Sequence, residues 1–213
     1  MMRGTEFQHK SKAAMTFFDE RSKDMLSLSE MFKTYYNELF YYGLKLGASD
    51  ELVKDTIQDL FVFIAEKNSF KEEVRNIKAY LIVSLRRQLL KNLKKQRSLW
   101  SNEVAEDCVF DFSSEDFLIS KESNAEMSEQ LSLCFRKLSS RQREVILLRF
   151  YHEIEIVDIA NIMEMNVQST RNLLFRALEK IRSIIKKTDN ANWDNIDLMF
   201  FLFTVLNSNR KKE

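Results

Sequence analysis

The chain has 213 residues, with 33 Lys and Arg against 32 Asp and Glu, for a formal net charge of +1. With 3 glycines and 0 prolines it has almost no punctuation for hairpins, which counts against a sandwich or barrel. A hydrophobic share of 45% suffices for ordinary cores, and the mix favours an all-α protein of one or two small domains.

Cys108 and Cys134 are the only cysteines and form no C-x-x-C pair, so no zinc signature is present and a reduced, cytoplasmic protein is the simplest reading. His9 and His152 lack ligand-spaced partners and read as ordinary surface histidines, so neither a metal nor a cofactor is expected. Lys10, Lys12, Asp19, Glu20 and Arg21 interrupt any secretory apolar stretch in the leader, residues 1–25. That leader reads as poorly ordered or loosely docked, with Phe17 and Phe18 a weak helix start.

Residues 26–98 form a first helical unit. Leu28 to Gly47 is a helix rich in aromatics, among them Phe32, Tyr35, Tyr36, Phe40, Tyr41 and Tyr42. Such a stripe is more often core than binding platform. Gly47 suits the position just past the helix end, and Ser49 or Asp50 suits the next cap. The second helix, from about Glu51 to Lys67, buries Leu52, Ile57, Leu60, Phe61 and Ile64. Its polar side gathers Asp55, Gln58, Asp59 and Glu66, either a solvated acidic face or a docking surface for a basic partner helix. Asp55 and Asp59 lie one turn apart, but no histidine, metal-ligand partner or glycine-rich loop accompanies them, so carboxylate catalysis is rejected.

Asn68 to Glu73 is a polar loop, after which the chain changes character. Arg75, Lys78, Arg86, Arg87, Lys91, Lys94, Lys95 and Arg97 follow with no Asp or Glu among them up to Ser98. Ile77, Leu81, Leu85, Leu89 and Leu93 give this helix its buried stripe. A basic amphipathic helix suits nucleic acid, an anionic membrane or an acidic partner. Asn76, Tyr80, Gln88 and Asn92 interleave as a stacking group and polar readers of exposed bases.

Residues 99–129 have the opposite sign, with Glu103, Glu106, Asp107, Asp111, Glu115, Asp116, Glu122, Glu126 and Glu129 against Lys121. This segment reads as an acidic, partly disordered linker between two basic units. Charge segregation explains the near-zero sum. Folding of the linker acids back onto the basic faces would weaken DNA binding.

Residues 130–187 form the second unit. Ser139 and Gln142 have the spacing of a capping box. Ile156, Ile159, Ala160 and Met163 recur at helical spacing, Glu164 to Asn166 break the pattern, and Asn166 is a good cap. The last helix buries Val167, Thr170, Leu174, Ala177 and Ile181. Its other face carries Gln168, Ser169, Arg171, Asn172 and Arg176, with no acid from Asn166 to Leu178. A short helix, a tight turn and a basic-amide helix suit the major groove as a helix-turn-helix. The bland alternative is a small helical subdomain with a solvated polar face.

Residues 188–213 end in a hydrophobic extension, Ile196 to Leu206, of eleven residues. A membrane span needs about 20, so no membrane span is expected and a docking helix fits better.

Two separated blocks resemble the bacterial RNA polymerase sigma factors of the extracytoplasmic-function (ECF) group. The first is D-x-x-Q-D-x-F at Asp55, Gln58, Asp59 and Phe61, followed by the basic helix; the second is Leu138, Arg141, Arg143, Glu144 and Val145, with Ile159 and Ala160. The resemblance implies that residues 26–98 are a region 2, joined by the linker to a region 4 helix-turn-helix. It implies core RNA polymerase (clamp helices and flap) and promoter DNA as partners, and it leaves room for an anti-sigma factor. Asp55, Gln58 and Asp59 would dock on the clamp helices. Asn76, Lys78, Arg86, Arg87, Lys91, Asn92, Lys94 and Lys95 would read the −10 element, with an extruded base held near Asn68 to Arg75. Gln168, Ser169, Arg171, Asn172 and Arg176 would read the −35 element. The chain would act by binding, not as an enzyme. It departs from the family at Ser139, usually proline, and at Glu164, usually a turn glycine, where the left-handed backbone should be strained. The runner-up reading is a dimeric helix-turn-helix regulator that works without polymerase, and a third is a helical interaction module.

Overall fold

The structure, a computed structural model, describes residues 16–19, 24–67, 75–100, 110 and 132–189. The first described elements form a short hairpin, β1 (Thr16–Asp19) paired antiparallel to β2 (Asp24–Ser27), with Phe17 opposite Leu26. Phe17 and Phe18 therefore lie in a strand rather than in a first helix turn.

Everything else assigned is helical, as the composition predicts. Ser27 starts α1 (Leu28–Lys45) through a capping box with Glu30. Glu30's carboxyl is held below its ordinary value by the hydrogen bonds from Ser27. The helix ends at Leu46 and Gly47, and Gly47 takes φ 79° while its N–H donates to the Leu44 carbonyl. Ser49 accepts from the Leu52 N–H and opens α2 (Asp50–Lys67). The third helix, α3 (Ile77–Trp100), starts where Asn76 Oδ1 accepts from the Ala79 N–H. These three helices meet closely at Gly43. A Cβ there would come within 2.6 Å of Val53 Cγ1 and 3.2 Å of Leu89 Cδ1, so only glycine fits.

The second half starts with a helical turn at 132–136 and continues into α4 (Ser140–Ile146). Ser139 and Gln142 form the expected capping box. The chain then widens into a π-turn, Leu147–Tyr151, in which His152 N–H donates to the Leu147 carbonyl. A short α5 (Ile156–Ile162) and a long α6 (Val167–Asp189) complete the described chain.

One continuous apolar cluster runs through both halves. It includes Tyr42, Leu46, Ile57 and Leu85 from the first half and Phe135, Val145, Leu148 and Ile181 from the second. Of the expected linker, Leu99 and Trp100 continue α3, and the rest lies outside the described residues except Phe110. That residue is buried, packs on Tyr42 at 6.1 Å between ring centres, and accepts from Arg143 through its carbonyl. The loop 68–74 and the extension 190–213 also lie outside them.

Candidate nucleic-acid interface

The α5–turn–α6 unit is built by its turn. Glu164 takes φ 54°, its N–H donates to the Asn161 carbonyl, and the Met165 N–H reaches back to the Ala160 carbonyl at 2.9 Å. This is a Schellman ending with glutamate in the left-handed position where glycine is easiest, a backbone cost of order 1 kcal/mol. Asn166 then caps α6, its Oδ1 accepting from the Ser169 N–H at 2.7 Å. Buried Thr170, Ala177, Leu178 and Ile181 hold α6 against the core.

The opposite face of α6 points to solvent. Gln168, Arg171, Asn172 and Arg176 are exposed and Ser169 is half-buried. Gln168 donates to Asn172 at 3.1 Å, which aligns two amides along the helix. The face therefore offers two guanidinium forks and two amides in a row, groups that pair with guanine and adenine edges in a major groove.

The first half presents a different picture. On α2, Asp55, Gln58 and Asp59 are exposed together, next to exposed Val62 and Phe63. On α3, the residues expected to read the −10 element divide. Lys91, Lys94 and Lys95 are exposed and Asn92 is half-buried. Of the four nearer the N-terminus, Asn76, Arg86 and Arg87 meet acids of the second half of the chain. Asn76 Nδ2 donates to Asp158 at 2.8 Å. Arg86 Nε donates to Glu144 Oε1 at 2.8 Å, and Arg87 meets Glu164 at 3.3 Å. Lys78 is buried at 3% exposure and paired with Glu38, so in this arrangement it is a core cation rather than a solvent-facing reader.

Glu144 is the centre of these contacts. It is 3% exposed and accepts from both Arg86 and the Tyr42 hydroxyl, the latter at 2.7 Å. Burial and the neighbouring Glu144 charge push the Tyr42 phenol well above its ordinary range, so it stays a donor.

His152 corrects the expectation of a surface histidine. It is fully buried, with Nδ1 3.5 Å from Glu38 and its ring edge-on to Tyr42 and Tyr151. It follows the π-turn directly and is enclosed by Tyr42, Tyr151 and Glu38. Burial pushes the Glu38 carboxyl up, but the His152 hydrogen bond and the Lys78 charge outweigh it and hold the group at about 2. Cys134 is buried and its thiol is pushed up to about 11 by desolvation, which makes it a packing group rather than a nucleophile. No group of His, Cys, Asp and Glu among the described residues could hold a metal ion.

Residues 128–181 match the family model for Sigma-70, region 4. No curated protein matches the chain. Among solved structures, the chain is similar to the sigma factor RpoE from Bartonella quintana, in a co-crystal with the anti-sigma factor NepR. The identity is 21%, the TM-score is 0.51, and the match covers 74% of this chain and 96% of that one. The segment from 128 to 181 is thus similar to Sigma-70 region 4, and the fold of the chain is similar to that of the RpoE structure.

Proposed function

We propose that this protein is an ECF-type sigma factor that binds core RNA polymerase and directs promoter recognition, DNA melting and the start of transcription. The observation that carries the reading is the exposed basic-amide face of α6, set on a capped helix-turn-helix inside the region 4 match. Gln168, Ser169, Arg171, Asn172 and Arg176 read the −35 duplex. The basic helix α3 takes the unpaired −10 strand, and Asp55, Gln58 and Asp59 dock on the polymerase clamp helices. Region 4 also touches the flap.

The protein works by binding energy rather than catalysis. Phosphate contacts from Lys and Arg give salt-dependent affinity, and base-edge contacts give selection. Its place of work is the cytoplasm, where polymerase and promoters are; no described helix is long and apolar enough to cross a membrane. The RpoE neighbour was solved with an anti-sigma factor, which supports a partner of the same kind here.

The test is in vitro transcription with core polymerase and a genomic fragment library. New start sites that share upstream −35 and −10 sequences are expected only when the protein is added. Failure to bind core polymerase would overturn the reading in favour of a polymerase-independent regulator.

A further inference from the structure

Glu164 holds a left-handed backbone, φ 54°, just ahead of the reading face of α6, which begins at Gln168. The corresponding position after α1 is Gly47, which takes φ 79° with no side chain to strain. We propose that Glu164 is a specificity-determining residue of the −35 reader: its carboxylate repels backbone phosphates in every register and is compensated only where a base offers it an exocyclic amine, cytosine N4 or adenine N6. The inference rests on the DNA-reading role of α6 proposed above, and adds to it an acid that lies outside the basic-amide face.

Three observations carry it. The first is place. The helix α5 ends at Ile162, the Met165 N–H closes the turn onto the Ala160 carbonyl, and Asn166 caps α6. A helix-turn-helix crosses the phosphate backbone with its first helix and enters the groove with the N-terminus of its second. The turn between them therefore passes close to phosphates and to base edges.

The second is charge. From Asn166 to Leu178 the chain has no acid, and the next acid along α6, Glu179, is paired with Arg182. Glu164 keeps 61% of its side-chain surface. Arg87 lies 3.3 Å away but keeps 62% of its own, so solvent and salt screen the pair and DNA can compete for either partner. A carboxylate accepts hydrogen bonds and cannot donate. In a major groove it is matched by an amine and mismatched by guanine O6 or thymine O4.

The third is strain. Glycine would take this turn freely, glutamate does so at a cost to stability, and the screened contact with Arg87 offsets little of it. Strained backbone of this kind clusters at binding sites, where the side chain serves the ligand rather than the fold.

The experiment uses the full chain and fluorescein-labelled duplexes of about two helical turns. One probe is a random-sequence pool, the other the sequence that wild type enriches from it, and a parallel series adds core polymerase. Discrimination is the ratio of the two affinities, read by anisotropy. Glu164→Gln, which keeps the strained turn, and Glu164→Gly, which relieves it, should each bind the pool at least about fivefold tighter and the enriched sequence less than about twofold tighter. Selection repeated with Glu164→Gly should relax one base position. Glu51→Gln, an exposed acid on α2, should leave the ratio unchanged. The loss should persist when either change is added to Arg87→Ala, so that release of that arginine is not its cause. An unchanged ratio overturns the proposal, as does a loss confined to Glu164→Gly or one that needs Arg87. In each of those cases the enriched sequence still stands as evidence for the reading of α6. A wild-type chain that enriches no sequence in either series overturns that reading and the proposal with it.

Discussion

The two basic helices of this protein differ in what they face. On α6, the five residues that suit a DNA groove lie on one face and none is buried. On α3 and its cap Asn76, half of the expected contacts are met by acids of the chain, Glu144, Asp158, Glu164 and Glu38, with Arg87 still largely exposed. Sequence charge alone ranks α3 as the stronger nucleic-acid helix. The structure narrows that lead to Lys91, Lys94 and Lys95, because a cation's availability depends on what the fold sets opposite it.

The sharpest way to break the contrast is Glu144→Ala. It strands the Arg86 guanidinium and the Tyr42 hydroxyl in a buried site, and should cost about 3–5 kcal/mol. Thermal unfolding should then fall by roughly 10 °C.

Acid should loosen the same boundary by another route. The Glu38 carboxyl sits at about 2 in the folded chain, below its ordinary 4.5. A depressed folded value contributes stability that is complete above the ordinary value and fades as pH falls from about 4.5 towards 2. The loss should be roughly 3 kcal/mol, and Glu38→Gln should flatten that limb of a denaturant-melt series against pH.

Changes on α6 should act on DNA and leave the fold alone. Arg171→Ala and Arg176→Ala should each weaken −35 duplex binding by about 1–3 kcal/mol, read by fluorescence anisotropy. Melting should stay within about 0.5 kcal/mol of wild type, since both side chains are exposed. Loss of stability comparable to Glu144→Ala would erase the distinction between the helices.

The smallest effect is expected at Glu164→Gly. Relief of the left-handed strain should stabilise the chain by about 1 kcal/mol in urea titration, while removing the exposed partner of Arg87. A stabilised but more easily opened protein would separate the two roles of that residue.

Local features of this fold are legible in the chain. Ser139 with Gln142, Asn166 before Ser169, and Gly47 after α1 each lie within four residues of the group they satisfy, and each performs the expected task. The α6 face follows from the helical period alone. The pairing of α3 is not legible, because its partners are remote: Tyr42 and Glu144 lie 102 positions apart, and Asn76 and Asp158 lie 82 apart. Nothing in a basic amphipathic pattern tells a solvated guanidinium from one with a buried acid waiting for it. His152 was illegible for the same reason, since the groups that enclose it, Tyr42 and Glu38, lie on the remote helix α1.

That π-turn makes the length of one segment matter as much as its chemistry. Leu147–Tyr151 holds an additional residue relative to an α-helical path. Loss of a single residue there would restore regular helical bonding and leave the flanking residues on their faces, because the wide turn takes up its extra residue locally. His152 would keep its place beside Glu38. A one-residue loss from the regular turns of α4 would instead rotate Tyr151 and His152 by about 100° away from α1, so the same deletion has opposite consequences a few positions apart.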